Sequence, residues 1–391
     1  MLDWPAIMKS LARVPRRVPV AIRRARPSDV SALVTLEERC FTSDRLSRRN
    51  FQRLLREGHC ICLVAERGGV VVGYGLVLLH GSTALAHLYS IAVDPKRQGE
   101  GIGTALLEAC EEEARAAGRA VLRLEVRPDN ASAIRRYRAG GYKEIGTYAD
   151  YYEDHSDALR MEKQLAGGVL QSLNDVKFFP QSLDFTCGPA SLMMAMHALD
   201  PSAYALDRAR ELRLWREATL IFTTSGHGGC GPHGLALAAW NRGFHAEVFV
   251  SDDGVPFIDS VRSEEKQEVM RLVHEDFQRQ CNEAGIPVHI YSLSADELGE
   301  RIAAGKIPIV LISLYRIHGE KTPHWVVVTG SDERFIYIHD PFVDAKNGKT
   351  PSDCLNVPIA RLEFDRMSRY GGNRLRATVL VSKPAPRPRR R

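Results

Sequence analysis

Residues 88–104 read Leu-Tyr-Ser-Ile-Ala-Val-Asp-Pro-Lys-Arg-Gln-Gly-Glu-Gly-Ile-Gly-Thr, and this stretch decides the fold of the first half of the chain. Residues 85–93 have the β-branched and aromatic content of a strand. A glycine-rich turn follows. Ile102, Leu106, Ala109 and Cys110 then recur at helical spacing. Gly99, Gly101 and Gly103 let backbone N–H groups approach a ligand closely. A helix N-terminus adds unpaired donors and a positive dipole end, so a diphosphate fits there. Taken alone, the turn is equally well an ordinary tight turn. A Rossmann dinucleotide site fits less well, because the pattern is GxGxG with no acidic ribose binder after a second strand.

Working outward, residues 20–24, 60–65, 70–79 and 121–126 read as strands, with a turn at Arg67-Gly68-Gly69. Ser28 and Asp29 are placed to cap a helix running through Glu38. A second helix spans 131–138 and closes on Gly140-Gly141. The pattern predicts a mixed sheet with helices on both faces, closed by a strand at 158–165. A domain boundary follows at 166–168. After it, helices are expected at 188–199, 234–242 and 263–283, and strands at 307–314, 325–329 and 335–339. Helices first and strands later make an α+β pattern.

The spacing Gln98-x-x-Gly101-x-Gly103, followed by Leu-Glu-Val-Arg-Pro-Asp-Asn at 124–130 and Tyr137 through Gly-Gly-Tyr142, resembles the GNAT family of N-acetyltransferases, most of all its ribosomal-protein alanine N-acetyltransferase branch. The resemblance covers about residues 20–165. It implies an α/β mixed-sheet domain with acetyl-CoA as cofactor. Main-chain groups around Ile91 and Val93 would hold the thioester. Gln98, Gly99, Gly101, Gly103 and Thr104 would line the pyrophosphate, and Asn130 would contact the pantetheine arm. Tyr137 would protonate the leaving thiolate, and Glu125 would take the proton from the amine, directly or through water. Acyl transfer to an amine needs such an acid and base in any case.

A second signal lies in Gln-Ser-Leu-Asp-Phe-Thr-Cys-Gly-Pro-Ala at 181–190. Cys187 stands where a loop becomes a helix, with Pro189 suited to the first turn. A thiol at a helix N-terminus has its pKa lowered, which favours the thiolate. Far downstream, a hairpin centred near Asp332 would set His324 directly opposite Asp340. Asp340 could then orient His324 as the base of a Cys-His-Asp triad. His339 faces the other side of that strand and reads as structural. The order Gln, Cys, His, Asp resembles the C39 family of cysteine peptidases, over about residues 170–382. The resemblance implies a papain-like α+β fold and an oxyanion donor in Gln181. A long insertion between Cys187 and His324 departs from the family and leaves substrate choice open. His227, Cys230 and His233 could suggest a metal, but a glycine-rich turn into a helix is the better reading.

The 391 residues are 44% hydrophobic and 26% charged, an ordinary globular composition. That length calls for two domains: 20–166 and 170–382, with basic flexible ends at 1–19 and 383–391. The net charge of +5 comes from those ends, because residues 27–382 are net acidic. A folded basic face for nucleic acid is therefore not supported, and tail contacts with RNA or ribosomes rest on the ends alone. No apolar run reaches the ~18 residues of a membrane span, and no secretory signal is evident. The eight scattered cysteines suit a reducing cytoplasm, with no metal expected. The sequence thus points to an acetyl-CoA-dependent N-acetyltransferase for a peptide or protein amine, fused to a cysteine peptidase. The alternative is a C39-like domain that only binds peptides.

Overall fold

A computed structural model describes residues 20–79, 81, 83–165, 172–173, 175–220, 228–344 and 349–383. The boundary expected at 166–168, the basic ends up to residue 19 and after Lys383, and His227 lie outside the described residues. The chain divides into two compact units, one of residues up to 79 with 86–165, the other of 80–85 with 166 onward.

The first unit runs β1 (Ala21–Arg24), α1 (Val30–Cys40), α2 (Arg48–Glu57), β2 (Cys60–Arg67), β3 (Val70–Leu79), β4 (Leu85–Val93), α3 (Ile102–Ala116), β5 (Val121–Val126), α4 (Ala131–Ala139), β6 (Lys143–Tyr148) and β7 (Ala158–Gln164). Its seven strands form one sheet in the order β1-β2-β3-β4-β5-β7-β6. One core packs Leu106 and Cys110 of α3 and Ile134 of α4 with the sheet residues Leu122 and Leu124. Another packs Leu33, Leu36 and Phe51 of α1 and α2 with Tyr74 and Leu76. A side chain at Gly75 would place its Cβ 2.6 Å from the Cys110 sulfur, so this glycine is what lets α3 approach β3. Asp29 does not cap α1 as the sequence suggested. Arg23 and the Arg26 N–H, each at 2.7 Å, take its carboxylate instead.

The second unit runs β8 (Ser172–Leu173), α5 (Cys187–Leu199), α6 (Arg208–Ala218), α7 (Pro232–Trp240), β9 (His245–Val250), α8 (Glu264–Ala284), β10 (Val288–His289), α9 (Ala295–Ala303), β11 (Ile307–Ser313), α10 (Tyr315–His318), β12 (Pro323–Ser331), β13 (Phe335–His339), β14 (Val357–Ala360), α11 (Arg361–Met367) and β15 (Ala377–Ser382). Its sheet has the order β10-β9-β15-β11-β12-β13-β14, and β8 pairs β12. It is mixed: β9 and β10 are parallel, whereas β9 and β15 are antiparallel. Helices do not simply precede strands as expected, because β9 lies between α7 and α8. Residues Ala246, Val248 and Val250 of that strand enter the core with Val379 and Val381 of β15.

The β12–β13 hairpin corrects the expected register. Val327 pairs with His339 and Val328 with Ile338, after which a bulge brings Gly330 opposite Tyr337. The turn is centred beyond Asp332, whose carboxylate accepts the N–H groups of Arg334 and Phe335, each at 2.8 Å. His324 is therefore two positions out of step with Asp340. An even offset keeps both on one face, where diagonal neighbours are still within reach of long side chains.

Candidate active sites

In the first unit, β4 and α3 flank the glycine-rich turn. Tyr89 is an extra residue in β4, between the pairs Leu76–Ser90 and Val77–Leu88. Such a bulge leaves a residue out of the ladder and re-aims the strand. Past the strand, Gly99 and Gly101 have φ of 81° and 82°, the left-handed region that favours glycine, and open space surrounds the place of each Cβ. Gly101 is the N-cap of α3. Gln98 and Thr104 are exposed beside it. A Cβ at Gly103 would meet the Arg136 guanidinium at 3.4 Å. An open cradle of backbone donors at a helix N-terminus fits the diphosphate of acetyl-CoA. The Val93 carbonyl accepts from the Cys40 thiol at 3.4 Å. Asn130 uses its Oδ1 to cap α4, accepting from the Ala133 N–H at 3.1 Å.

Glu125 on β5 has a side chain only 3% exposed and doubly paired, with His87 Nε2 of β4 and with Arg160 Nε of β7 at 2.8 Å. Burial works to raise its pKa, but the neighbouring His87 and Arg160 outweigh it and hold the carboxyl below its ordinary value. His87 was not singled out from the sequence. A lone histidine in a strand carries no pattern, and its partner is 38 residues away. Tyr137 of α4 is buried against Tyr142, with ring centroids 5.5 Å apart. Burial pushes its hydroxyl up to about 12.

In the second unit, Cys187 is the first residue of α5, and Gly188 packs beneath Trp325 and Cys230. His324 and Trp325 come from β12, and the Trp325 indole donates to the Cys230 carbonyl at 2.9 Å. His324 Nε2 and Asp340 Oδ1 are 2.7 Å apart, both residues buried. Cys187 and His324 shift one another's protonation. Burial alone would raise the thiol pKa. The His324 charge and hydrogen bond, with backbone donors from Trp325 and Gly188, lower it instead. For His324, burial opposes the proton, while Asp340 and Cys187 overcome it and raise the imidazole to about 10. The pair therefore favours thiolate and imidazolium. By contrast, burial raises the thiols of Cys40, Cys60, Cys62, Cys110, Cys230 and Cys281.

Gln181 is tied into the same neighbourhood. Its N–H donates to the Pro341 carbonyl at 2.9 Å and its Nε2 to the Leu183 carbonyl at 2.9 Å. His339 is buried away from this group, between the Val176 carbonyl at 2.8 Å and the Asn356 N–H at 3.0 Å. Among the described residues no group of three or more His, Cys, Asp or Glu is placed to hold a metal ion. Cys230 lies against the thiol site, and His233 stacks edge-on against His274 at 5.1 Å. No described helix is long and apolar enough to cross a membrane.

Comparisons with known proteins match both halves. A family model described as peptidase C39-like covers residues 176–382. One for the GNAT acetyltransferase family covers 30–142. N-alpha-acetyltransferase RimI of Mycobacterium tuberculosis is 34% identical over 149 residues, 37% of this chain and 92% of the relative. An uncharacterized protein of Mycobacterium leprae is 33% identical over 155 residues, 37% of this chain, which spans 41% of that relative's length. The crystal structure of the ribosomal-protein-S18-alanine N-acetyltransferase from Escherichia coli is 28% identical, with 39% of this chain and 97% of that chain covered and a TM-score of 0.36.

Proposed function

The chain belongs to the peptidase C39-like family and carries a GNAT N-acetyltransferase domain whose cofactor is acetyl-CoA, and from that premise we propose that it acetylates the α-amine of a peptide or protein and cleaves peptides with a cysteine nucleophile. In this reading the acetyltransferase occupies residues 20–166 and the peptidase 170–382. Its work is cytoplasmic, which suits eight free cysteines.

Acetyl-CoA supplies an activated acyl thioester. Backbone donors at Gly99, Gly101 and Gly103, with Gln98 and Thr104, hold its diphosphate, and Ile91, Val93 and Asn130 orient its arm. The amine proton passes to the His87–Glu125 pair. A carboxylate held below its ordinary pKa is a weak base by itself, so Glu125 acts together with His87, directly or through water. Tyr137, protonated at neutral pH like any tyrosine and held more firmly so by burial, gives its proton to the departing sulfur. An N-terminal amine, pKa about 8, costs less to deprotonate than lysine at about 10.4, and the RimI relative is named for that chemistry.

In the second domain the Cys187 thiolate attacks a peptide carbonyl carbon. The developing oxyanion takes hydrogen bonds from Gln181 Nε2, one of whose two hydrogens is committed to Leu183, and from the backbone at Cys187. His324 then protonates the leaving amine, oriented by Asp340. A papain-like arrangement of these groups accounts for their order. The single observation that carries the peptidase reading over a peptide-binding module is the buried His324–Asp340 pair, whose imidazole lowers the Cys187 thiol against its burial. Binding alone needs no thiolate.

Mass spectrometry after incubating the chain with acetyl-CoA and a peptide library tests both halves. N-terminally acetylated peptides and new cleavage products are expected, the latter lost in Cys187→Ala. Absence of acetylated peptides overturns the first half, and cleavage that survives Cys187→Ala overturns the second.

A further inference from the structure

The loop that leads into Cys187 is held by a buried acidic side chain. Glu211 lies in the first turn of α6 and is fully buried. Its Oε1 accepts from the Ser182 N–H at 2.8 Å and from the Thr186 hydroxyl at 2.6 Å. Its Oε2 is buried with no hydrogen-bond partner among the described residues.

The two donors mark the ends of one short segment. Ser182 follows Gln181, and Thr186 precedes Cys187. A single oxygen thus joins the residue after the amide donor to the residue before the nucleophile. Inside the segment, the Leu183 N–H donates to Thr186 Oγ1 at 3.2 Å, and the Leu183 carbonyl accepts Gln181 Nε2 at 2.9 Å. On the far side, the Gln181 N–H is bound to the carbonyl of Pro341, the residue after Asp340. We propose that Glu211 is a positioning residue that sets the separation of the Gln181 amide from the Cys187 sulfur, and so governs oxyanion stabilisation without governing thiolate formation. The proposal rests on the peptidase reading of this site.

Two reagents separate those effects in the full chain. With iodoacetamide, the Cys187 sulfur bonds to carbon as iodide leaves, and no oxyanion forms. With 4-nitrophenyl acetate, the sulfur bonds to the carbonyl carbon, the oxygen becomes an oxyanion, and 4-nitrophenolate leaves to give S-acetyl-Cys187. Removing one oxyanion donor costs about 100- to 1,000-fold. Displacing one in Glu211→Ala should slow the 4-nitrophenolate burst at least about tenfold, while alkylation of Cys187 changes by less than about threefold. Glu211→Gln, which keeps an acceptor oxygen, should restore the burst. If Glu211→Ala does not fold, Thr186→Val removes one of the two donors and should show the same split in a smaller amount. Equal slowing with both reagents, an unchanged burst, or a folded Glu211→Gln that fails to rescue would overturn the proposal. A wild-type chain in which Cys187 reacts with neither reagent strikes the peptidase reading itself, a result distinct from any variant effect.

Discussion

In the first unit the candidate coenzyme cradle is laid out along one stretch of main chain, from Ile91 through Thr104. In the second the candidate site needs Gln181, Cys187, His324 and Asp340, drawn from three separated segments. The first is a cradle of backbone donors in which Gly99 and Gly101 stand in the left-handed region with open space around them. The second is a set of buried side chains that shift one another's protonation. A backbone cradle tolerates most side-chain changes but not a change of φ. A buried ion pair tolerates neither the loss of a partner nor a charge left alone.

That contrast can be broken by substitution. The largest effect expected is from Cys187→Ala, which should abolish both peptide cleavage and the fast alkylation while acetyl transfer by the first unit stays within about twofold, a change too small to reflect loss of a catalytic group. Product mass spectrometry measures both. Next is Tyr137→Phe. Its kcat for acetyl transfer should fall about 100- to 10,000-fold, the range for a general acid, with acetyl-CoA affinity by calorimetry unchanged because the loss belongs to the transition state. Unaltered kcat under single-turnover conditions would make Tyr137 a packing residue.

His324→Ala should slow Cys187 alkylation at pH 7 about 30- to 100-fold. The variant thiol loses the imidazole that lowers its pKa and keeps the burial that raises it, so it holds at most the few per cent of thiolate of an ordinary cysteine. The same variant has a pH signature. His324 is raised in the folded chain, so its stabilising contribution is complete below the ordinary value of about 6.5 and is lost as pH climbs through about 10. The melting-temperature gap between wild type and His324→Ala should accordingly be wide near pH 6 and close by pH 10. A gap that widens with pH would contradict the Asp340–His324 pairing. The smallest effect belongs to the cradle. Gly101→Ala meets no neighbouring atom but forces a side chain into φ of 82°, at about 1–2 kcal/mol, or about five- to thirtyfold in acetyl-CoA affinity. Calorimetry decides it, and an unchanged affinity would remove the loop from the site.

The same contrast explains what could be read from the residues alone. Glycine spacing and helix periodicity are local, so the turn at 98–103 and helix α3 were legible without a structure. So was Cys187, because a loop ends and a helix begins within ten residues. Strands β9 and β15 were passed over although they lie side by side in the second sheet. Their partners are more than 100 residues apart, and nothing local marks them as neighbours. Sequence separation also hid Glu211, which reads as an ordinary first-turn acid on α6 until Ser182 and Thr186, 29 and 25 residues away, are brought to it. The hairpin showed the limit most sharply. Its alternation put His324 and Asp340 on one face, but the bulge and the position of the turn are backbone details that side-chain alternation does not encode.

That bulge separates the root of the hairpin from its tip. Thr329, the extra residue of β12, bonds to the Asn356 side chain at 2.8 Å and to the Tyr337 carbonyl at 3.3 Å, so it is pinned by its own partners. Below it, β12 is also held by β11, with His324 opposite Ile312. A residue gained or lost among 332–334 would therefore be absorbed above Thr329 without transmitting a one-residue slip to His324, the slip that would turn the imidazole to the opposite face. Buried Asp332 anchors the tip through the Phe335 N–H and the Tyr337 hydroxyl, so the exposed step from Glu333 to Arg334 is where an engineer could splice a tag or reporter peptide while His324 keeps its bearing.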